Sequence, residues 1–276
     1  MFAKTIVCVI GMRNADDDLH KAASLAREMD AHLSVLVIGI APTPSVGDYP
    51  LGTVTLDRRD MEIAVVGEQE KAAQALCEKA GIRFDVASLY VEKAWADAEI
   101  AERVRYTDLV VVGDSVLGNE DLKRQTVNGS LFASERPVMV MGSRSQPTLK
   151  PKTVLLAWDS SAEAARAAYD MRGLMAGAGA VHVTLVDPVA AWRRNGEEPG
   201  ADIAAYLAHQ GAQVTVDRLV SEGRPIAEVL MQRAGDIGAD LVIMGAYHHS
   251  RLRERLLGGV TRTMLEDPAV PVLMSR

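Results

Sequence analysis

The sequence predicts an α/β fold: two doubly wound domains in tandem, each a five-stranded, mostly parallel sheet with helices on both faces. Three observations carry this. Short β-branched apolar runs alternate with helical patterns along all 276 residues. Several of those runs are apolar throughout, as in strands covered on both faces. The pattern also occurs twice: residues 4–11 (KTIVCVIG) align with 152–159 (KTVLLAWD), 107–115 with 239–247, and 136–144 with 270–276. Three matches in the same order mark an internal repeat.

In the first half, strands are expected over 5–10, 32–40, 85–91, 109–113 and 137–141, with helices over 19–29, 67–81, 95–106 and 121–134. In the second, strands are expected over 154–158, 181–186, 213–220, 241–245 and 271–274, with helices over 161–175, 201–211, 225–238 and 250–266. Such alternation implies βαβ units with right-handed crossovers. The offset between repeats falls from 148 (Lys4 to Lys152) to 132 (Thr107 to Ala239), so the first half carries extra residues. The stretch 41–60, rich in Pro, Gly and Asp, reads as that insertion. Residues 142–151 read as a linker, giving domains at 1–144 and 151–276.

With 48% hydrophobic and 24% charged residues the chain can bury sizeable cores. A net charge of −7 argues against nucleic-acid or anionic-membrane surfaces, but leaves a nucleotide open, because backbone N–H groups alone can hold a phosphate. Cys8 and Cys77 do not make a disulfide framework. The first residues lack a cleavage pattern, and no run approaches the ~18 apolar residues of a membrane helix. A soluble cytoplasmic protein is expected.

In open α/β sheets, ligands bind beyond the carboxyl ends of the strands, at the point where strand order reverses. That directs attention to Ala157, Trp158 and Asp159 after the first strand of the second half, to Val186 at the end of the next, and to Gly245 onward. Gly258 and Gly259 precede a helical stretch, where adjacent glycines admit a close ligand and helix N–H groups face an anion. The plain alternative is that these glycines end a strand and cap a helix. Two glycine clusters alone do not decide between them.

With those residues in view, the sequence resembles the universal stress protein family, whose phosphate loop runs Gly-x-x-Gly, nine residues, then Gly-Ser/Thr. Gly245 takes the first glycine and Gly258 the third at full spacing, and Asp159 in VLLAWDSS matches the family's Asp after the first strand. The resemblance covers nearly the whole chain, twice over. It implies a Rossmann-like sheet of the adenine nucleotide alpha hydrolase type. It also implies an ATP or ADP site, with or without Mg²⁺, in the second half. There Asp159 would hold ribose or base, the backbone near Val186 would line the adenine, and Gly245, Gly258, Gly259 and Val260 would hold phosphates. Two departures stand out: His248 replaces the second glycine and Gly259 the Ser/Thr. A ring at 248 intrudes where backbone should meet phosphate, although a protonated His248 could itself contact one, and Thr261 could replace the lost hydroxyl. The first half departs further. Gly11 stands in place of the Asp, Val116 and Thr126 in place of two glycines, and Gly129-Ser130 lies at the wrong distance from Pro137. It is expected to be a degenerate partner.

Other residues weigh less. His248-His249 lack further metal ligands at a suitable spacing. Asp16, Asp17 and Asp18 fit helix-dipole complementation better than Mg²⁺ binding. Arg251, Arg253 and Arg255 fit a solvated helix face, and Trp158 fits base stacking or core. Ser160 and Ser161 have no His at a hydrolase spacing. The function expected is a stress-associated regulatory protein that binds an adenine nucleotide, with slow ATP hydrolysis at most and no placed catalytic residue. A nucleotide-independent interaction or chaperone-like scaffold is the alternative. An adenylate-forming ligase of related fold is the third reading, which the short length disfavours. The apolar last strands, PVMVM and PVLM, are edges that want covering; the resemblance implies that this strand mediates dimerisation, so pseudo-twofold pairing of the halves with a further homodimer is expected.

Overall fold

The computed structural model describes residues 3–41, 52–189, 197–246, 258–266 and 268–276. Contacts divide the chain into two compact units, Ala3–Arg136 and Pro137–Arg276.

The first unit has four parallel strands in the order β3-β2-β1-β4. They are β1 (Thr5–Ile10), β2 (His32–Ala41), β3 (Arg83–Glu92) and β4 (Leu109–Val112). The helices are α1 (Asp16–Met29), α2 (Gly52–Ala80), α3 (Ala96–Val104), α4 (Asp114–Leu117) and α5 (Glu120–Val127), and a π-helical turn follows over Asn128–Ala133. β1 and β4 are buried along almost their whole length, which is why their sequences are apolar without alternation. β3 alternates exposed and half-buried residues over its first half.

The second unit has six strands in the order β5-β10-β9-β6-β7-β8. They are β5 (Val138–Val140), β6 (Thr153–Ala157), β7 (Ala180–Val186), β8 (Val214–Leu219), β9 (Leu241–Gly245) and β10 (Val272–Ser275). Its helices are α6 (Ala162–Asp170), α7 (Arg172–Ala176), α8 (Ala201–His209), α9 (Ile226–Asp236) and α10 (Gly259–Met264). From β6 the chain moves outward through β7 to β8, then returns to the other side as β9 and β10. The switch point therefore lies between β6 and β9. The last strands of the two repeats pair with each other: β5 runs antiparallel to β10, with Val140 opposite Val272. All six of those paired residues are fully buried. Every other strand pairing within this unit is parallel.

The α/β class and its mostly parallel sheet are as the sequence predicts. Several element boundaries differ. Grouped by contact, the two units hold four and six strands, because β5, the last strand of the first repeat, falls in the second unit. The helix expected over 67–81 begins at Gly52, so the later part of the 41–60 insertion is helical; its Pro/Gly-rich start masks a run of good helix formers behind it. The helix expected over 161–175 breaks at Met171 into α6 and α7. That expected over 121–134 is α5 continued by the π-turn, preceded by the separate short α4. Of the helix expected over 250–266, only α10 lies within the described residues.

Candidate functional site

At the carboxyl ends of β6, β7 and β9 in the second unit lies a cavity of about 320 Å³. That is near the lower end of the range for small-molecule sites. Ala157, Trp158 and Asp159 enter from the end of β6, Val186 from the end of β7, and Gly245 from the end of β9. Gly258, Gly259, Val260 and Thr261 enter from the start of α10. Nine of the ten residues that the sequence singles out are thus brought to one cavity. His248, the tenth, lies outside the described residues, as do His249, Arg251, Arg253 and Arg255.

The geometry at each position follows from local chemistry. The Trp158 amide donates to the Thr184 carbonyl at 2.9 Å, extending the β6–β7 ladder past the strand end. The chain then turns sharply through Ser160, whose φ of 62° is left-handed. Asp159 Oδ1 accepts from both the Ser161 amide (3.0 Å) and the Ser161 hydroxyl (2.6 Å). The same hydroxyl accepts from the Ala164 amide at 3.1 Å and so caps α6. The helix cap and the Asp159 side chain are therefore one hydrogen-bonded unit. This is the role the structure gives Ser161.

Gly245 is required by close approach. A Cβ there would lie 2.5 Å from the Ala164 nitrogen and 2.8 Å from the Glu163 oxygen. Gly259 is different: a Cβ there would meet nothing within 4 Å. Gly258 is the N-cap residue of α10, so the amides that follow begin the helix and have no acceptor inside it. Thr261 is buried, with 1% exposure, and contributes to the wall.

Sequence reasoning missed the apolar floor, made by Ile226 and Leu230 of α9 with Met244 of β9, and the polar Thr184 and Glu163. Two signals were present. Thr184 and Val186 share a face by strand alternation. Ile226 and Leu230 stand four apart on one helix. What the sequence lacked was which face of α9 meets the switch point.

The corresponding end of the first unit is built differently. Asp16, Asp17 and Asp18 lie inside the first turn of α1, whose N-cap, Ala15, makes no side-chain cap bond. Asp16 and Asp17 are exposed and suit dipole complementation. Asp18 does not: it is 1% exposed and turns onto the first turn of α4. Its Oδ1 accepts from the Asp114 amide (2.9 Å), and its Oδ2 accepts from the Ser115 amide (3.0 Å) and hydroxyl (2.6 Å). Burial raises its pKa above the ordinary carboxylate value, opposed by the Ser115 and Asp114 hydrogen bonds. Gly129 faces α3, where a Cβ would lie 2.6 Å from the Asp97 carbonyl oxygen. Its glycine serves helix packing. Among the described residues, no group of three or more His, Cys, Asp or Glu side chains could hold a metal, and no helix is long and apolar enough to cross a membrane.

With this geometry established, three comparisons bear on kinship. The profile of the Universal stress protein family matches residues 150–276. No curated protein matches the chain. Among solved structures, a universal stress protein from Archaeoglobus fulgidus DSM 4304 superposes with a TM-score of 0.69 at 15% identity, covering 98% of both chains. A putative universal stress protein from Pseudomonas aeruginosa UCBPP-PA14 gives 0.56 at 16%, covering 99% of this chain and 93% of that one. A universal stress protein in complex with cAMP gives 0.36 at 20%, covering 46% of this chain and 98% of that one. The first two share the fold over nearly their full length, and residues 150–276 of this chain match the universal stress protein family.

Proposed function

We propose that this is a stress-associated regulatory protein that binds an adenine nucleotide, ATP or ADP, in the cavity of its second repeat. One observation carries the reading: the residues the family pattern marks in sequence, Asp159, Gly245 and Gly258–Thr261, line a single cavity at the switch point. In this reading Ser161 holds Asp159 Oδ1, and Oδ2 serves ribose or base. Val186 and the floor of Ile226, Leu230 and Met244 take the adenine, and the amides opening α10 take phosphate. Mg²⁺ would accompany the phosphates, offsetting their repulsion with the Asp159 and Glu163 carboxylates. The reading places the protein in the cytoplasm, consistent with two buried free thiols, and as a homodimer. It assigns binding to domain 151–276 and a supporting role to domain 1–144, with little or no catalysis.

The test is direct. The purified protein is heated and its supernatant assayed for released nucleotide, and isothermal calorimetry is run with millimolar ATP and Mg²⁺. Co-purified ATP or ADP, or saturable heat, is expected. No nucleotide and no heat would overturn the reading in favour of a nucleotide-independent scaffold.

A further inference from the structure

The two repeats each carry a carboxylate at the carboxyl end of the sheet, but at different places. In the second repeat it is Asp159, at the end of β6. In the first that position is Gly11, where a Cβ would lie 2.7 Å from the Ser115 carbonyl oxygen. The first repeat's carboxylate is instead Asp18, the third residue of α1. The third residue of α6 is Ala164.

The equivalence rests on contacts as well as counting. Gly113 and Gly245 close the matching strands β4 and β9. A Cβ on Gly245 would strike the Ala164 amide, and a Cβ on Gly113 would lie 2.0 Å from Asp18 Oδ1. Each glycine thus faces the first turn of the helix that follows the first strand of its repeat. Beside Ala164 the second repeat has its cavity. Beside Gly113 the first repeat has the Asp18 carboxylate, satisfied by three hydrogen bonds from the first turn of α4. The Ser115 hydroxyl relays the arrangement to the strand end by accepting from the Gly11 amide at 3.0 Å. Gly11 and Asp18 are therefore linked through the Ser115 hydroxyl.

We propose that Asp18 is a built-in anion of the first repeat, filling with its own carboxylate the ground that the second repeat leaves open beside Ala164, and so confining anionic ligands to the second repeat. This rests on the nucleotide reading for its ligand, but not for its geometry. The first unit does hold a cavity of about 510 Å³ lined in part by Gly11, Asp114 and Ser115. The donors on its Asp114–Ser115 wall are spent on Asp18. A like charge approaching them meets both occupied donors and a buried negative group.

Two arms test this. In the first, Asp18→Ala is unfolded by heat with increasing sodium acetate, against sodium chloride at equal ionic strength. Acetate, a detached copy of the deleted group, is expected to raise the melting temperature of Asp18→Ala saturably and leave wild type and Asp18→Asn unmoved. Asp18→Ser serves where Asp18→Ala does not fold. Equal response of variant and wild type would overturn the proposal. In the second arm the carboxylate is transplanted: Ala164→Asp is compared with its neutral isostere Ala164→Asn for ATP binding by calorimetry. Asp is expected to weaken binding at least tenfold more than Asn, and equal weakening would overturn the proposal. If wild type binds no ATP, the nucleotide reading fails and the acetate arm alone decides the role of Asp18.

Discussion

His182 on β7 and Asp217 on β8 are joined by a 3.0 Å contact between Nδ1 and Oδ2, and the first repeat has a His–Asp pair of its own across β2 and β3, in which His32 Nε2 lies 2.6 Å from Asp85 Oδ1. Asp217 lies opposite Thr184 on the neighbouring strand, and Asp85 lies opposite Ser34. Burial separates the two. Asp217 has 12% side-chain exposure and also takes Arg233 Nε and a terminal guanidinium nitrogen, whereas Asp85 has 58%.

Replacing each carboxylate should therefore have unequal consequences. Asp217→Asn is expected to cost about 1–3 kcal/mol, because it leaves Arg233 half-satisfied in a mostly buried place. Asp85→Asn is expected to cost under ~1 kcal/mol, since water and salt already screen that pair. Equilibrium urea unfolding of both variants checks the order, and a larger loss at Asp85 would contradict it.

The glycines of the candidate loop should also behave differently. Gly245→Ala must push β9 away from α6, at a cost of roughly 1–3 kcal/mol, and should weaken ATP binding with it. Gly259→Ala has open space and a helical position, so stability should hold or rise by up to ~1 kcal/mol. Thermal melts and calorimetry on the pair would show whether the cavity depends on the α6–β9 approach.

Ser161→Ala removes a helix cap and the two-point hold on Asp159 together. A loss of about 1 kcal/mol is expected from the cap. ATP affinity should fall several-fold through the freed Asp159 side chain, while affinity for inorganic phosphate should be unchanged. Affinity lost equally for both ligands would place Ser161 at the phosphate end instead.

Asp18 sets a pH dependence whose sign follows from its raised pKa. The folded state holds this proton more tightly than the unfolded chain, whose Asp titrates near ~3.9. Its contribution to stability is then fully present below that value and is lost as pH rises through the folded pKa. Ser115 and Asp114 face it from the first turn of α4, and the Cys8 thiol, its own pKa raised by burial, faces it from β1. The stability of wild type relative to Asp18→Asn should increase as urea midpoints are followed from pH 7 down to pH 4. A constant difference over that range would contradict the assignment.

The sequence by itself determined the repeat, the α/β class and most of the residues that line the second repeat's cavity. Each of these depends on local pattern. Buried parallel strands are apolar throughout, helices carry their own spacing, and a switch-point site draws on strand ends and loop starts that can be read along the chain. Asp159, Gly245, Gly258 and Thr261 were legible for that reason. The tertiary structure alone decided what Asp18 does, because the donors it binds lie 96 and 97 residues further on. In sequence Asp18 is one of three acids at a helix start, and only packing turns it inward while Asp16 and Asp17 stay in water. Packing likewise assigned Gly129 to the α3 contact and paired β5 with β10. It chose Ile226 and Leu230 as the floor, since a helix's period shows which residues share a face but not what that face will meet.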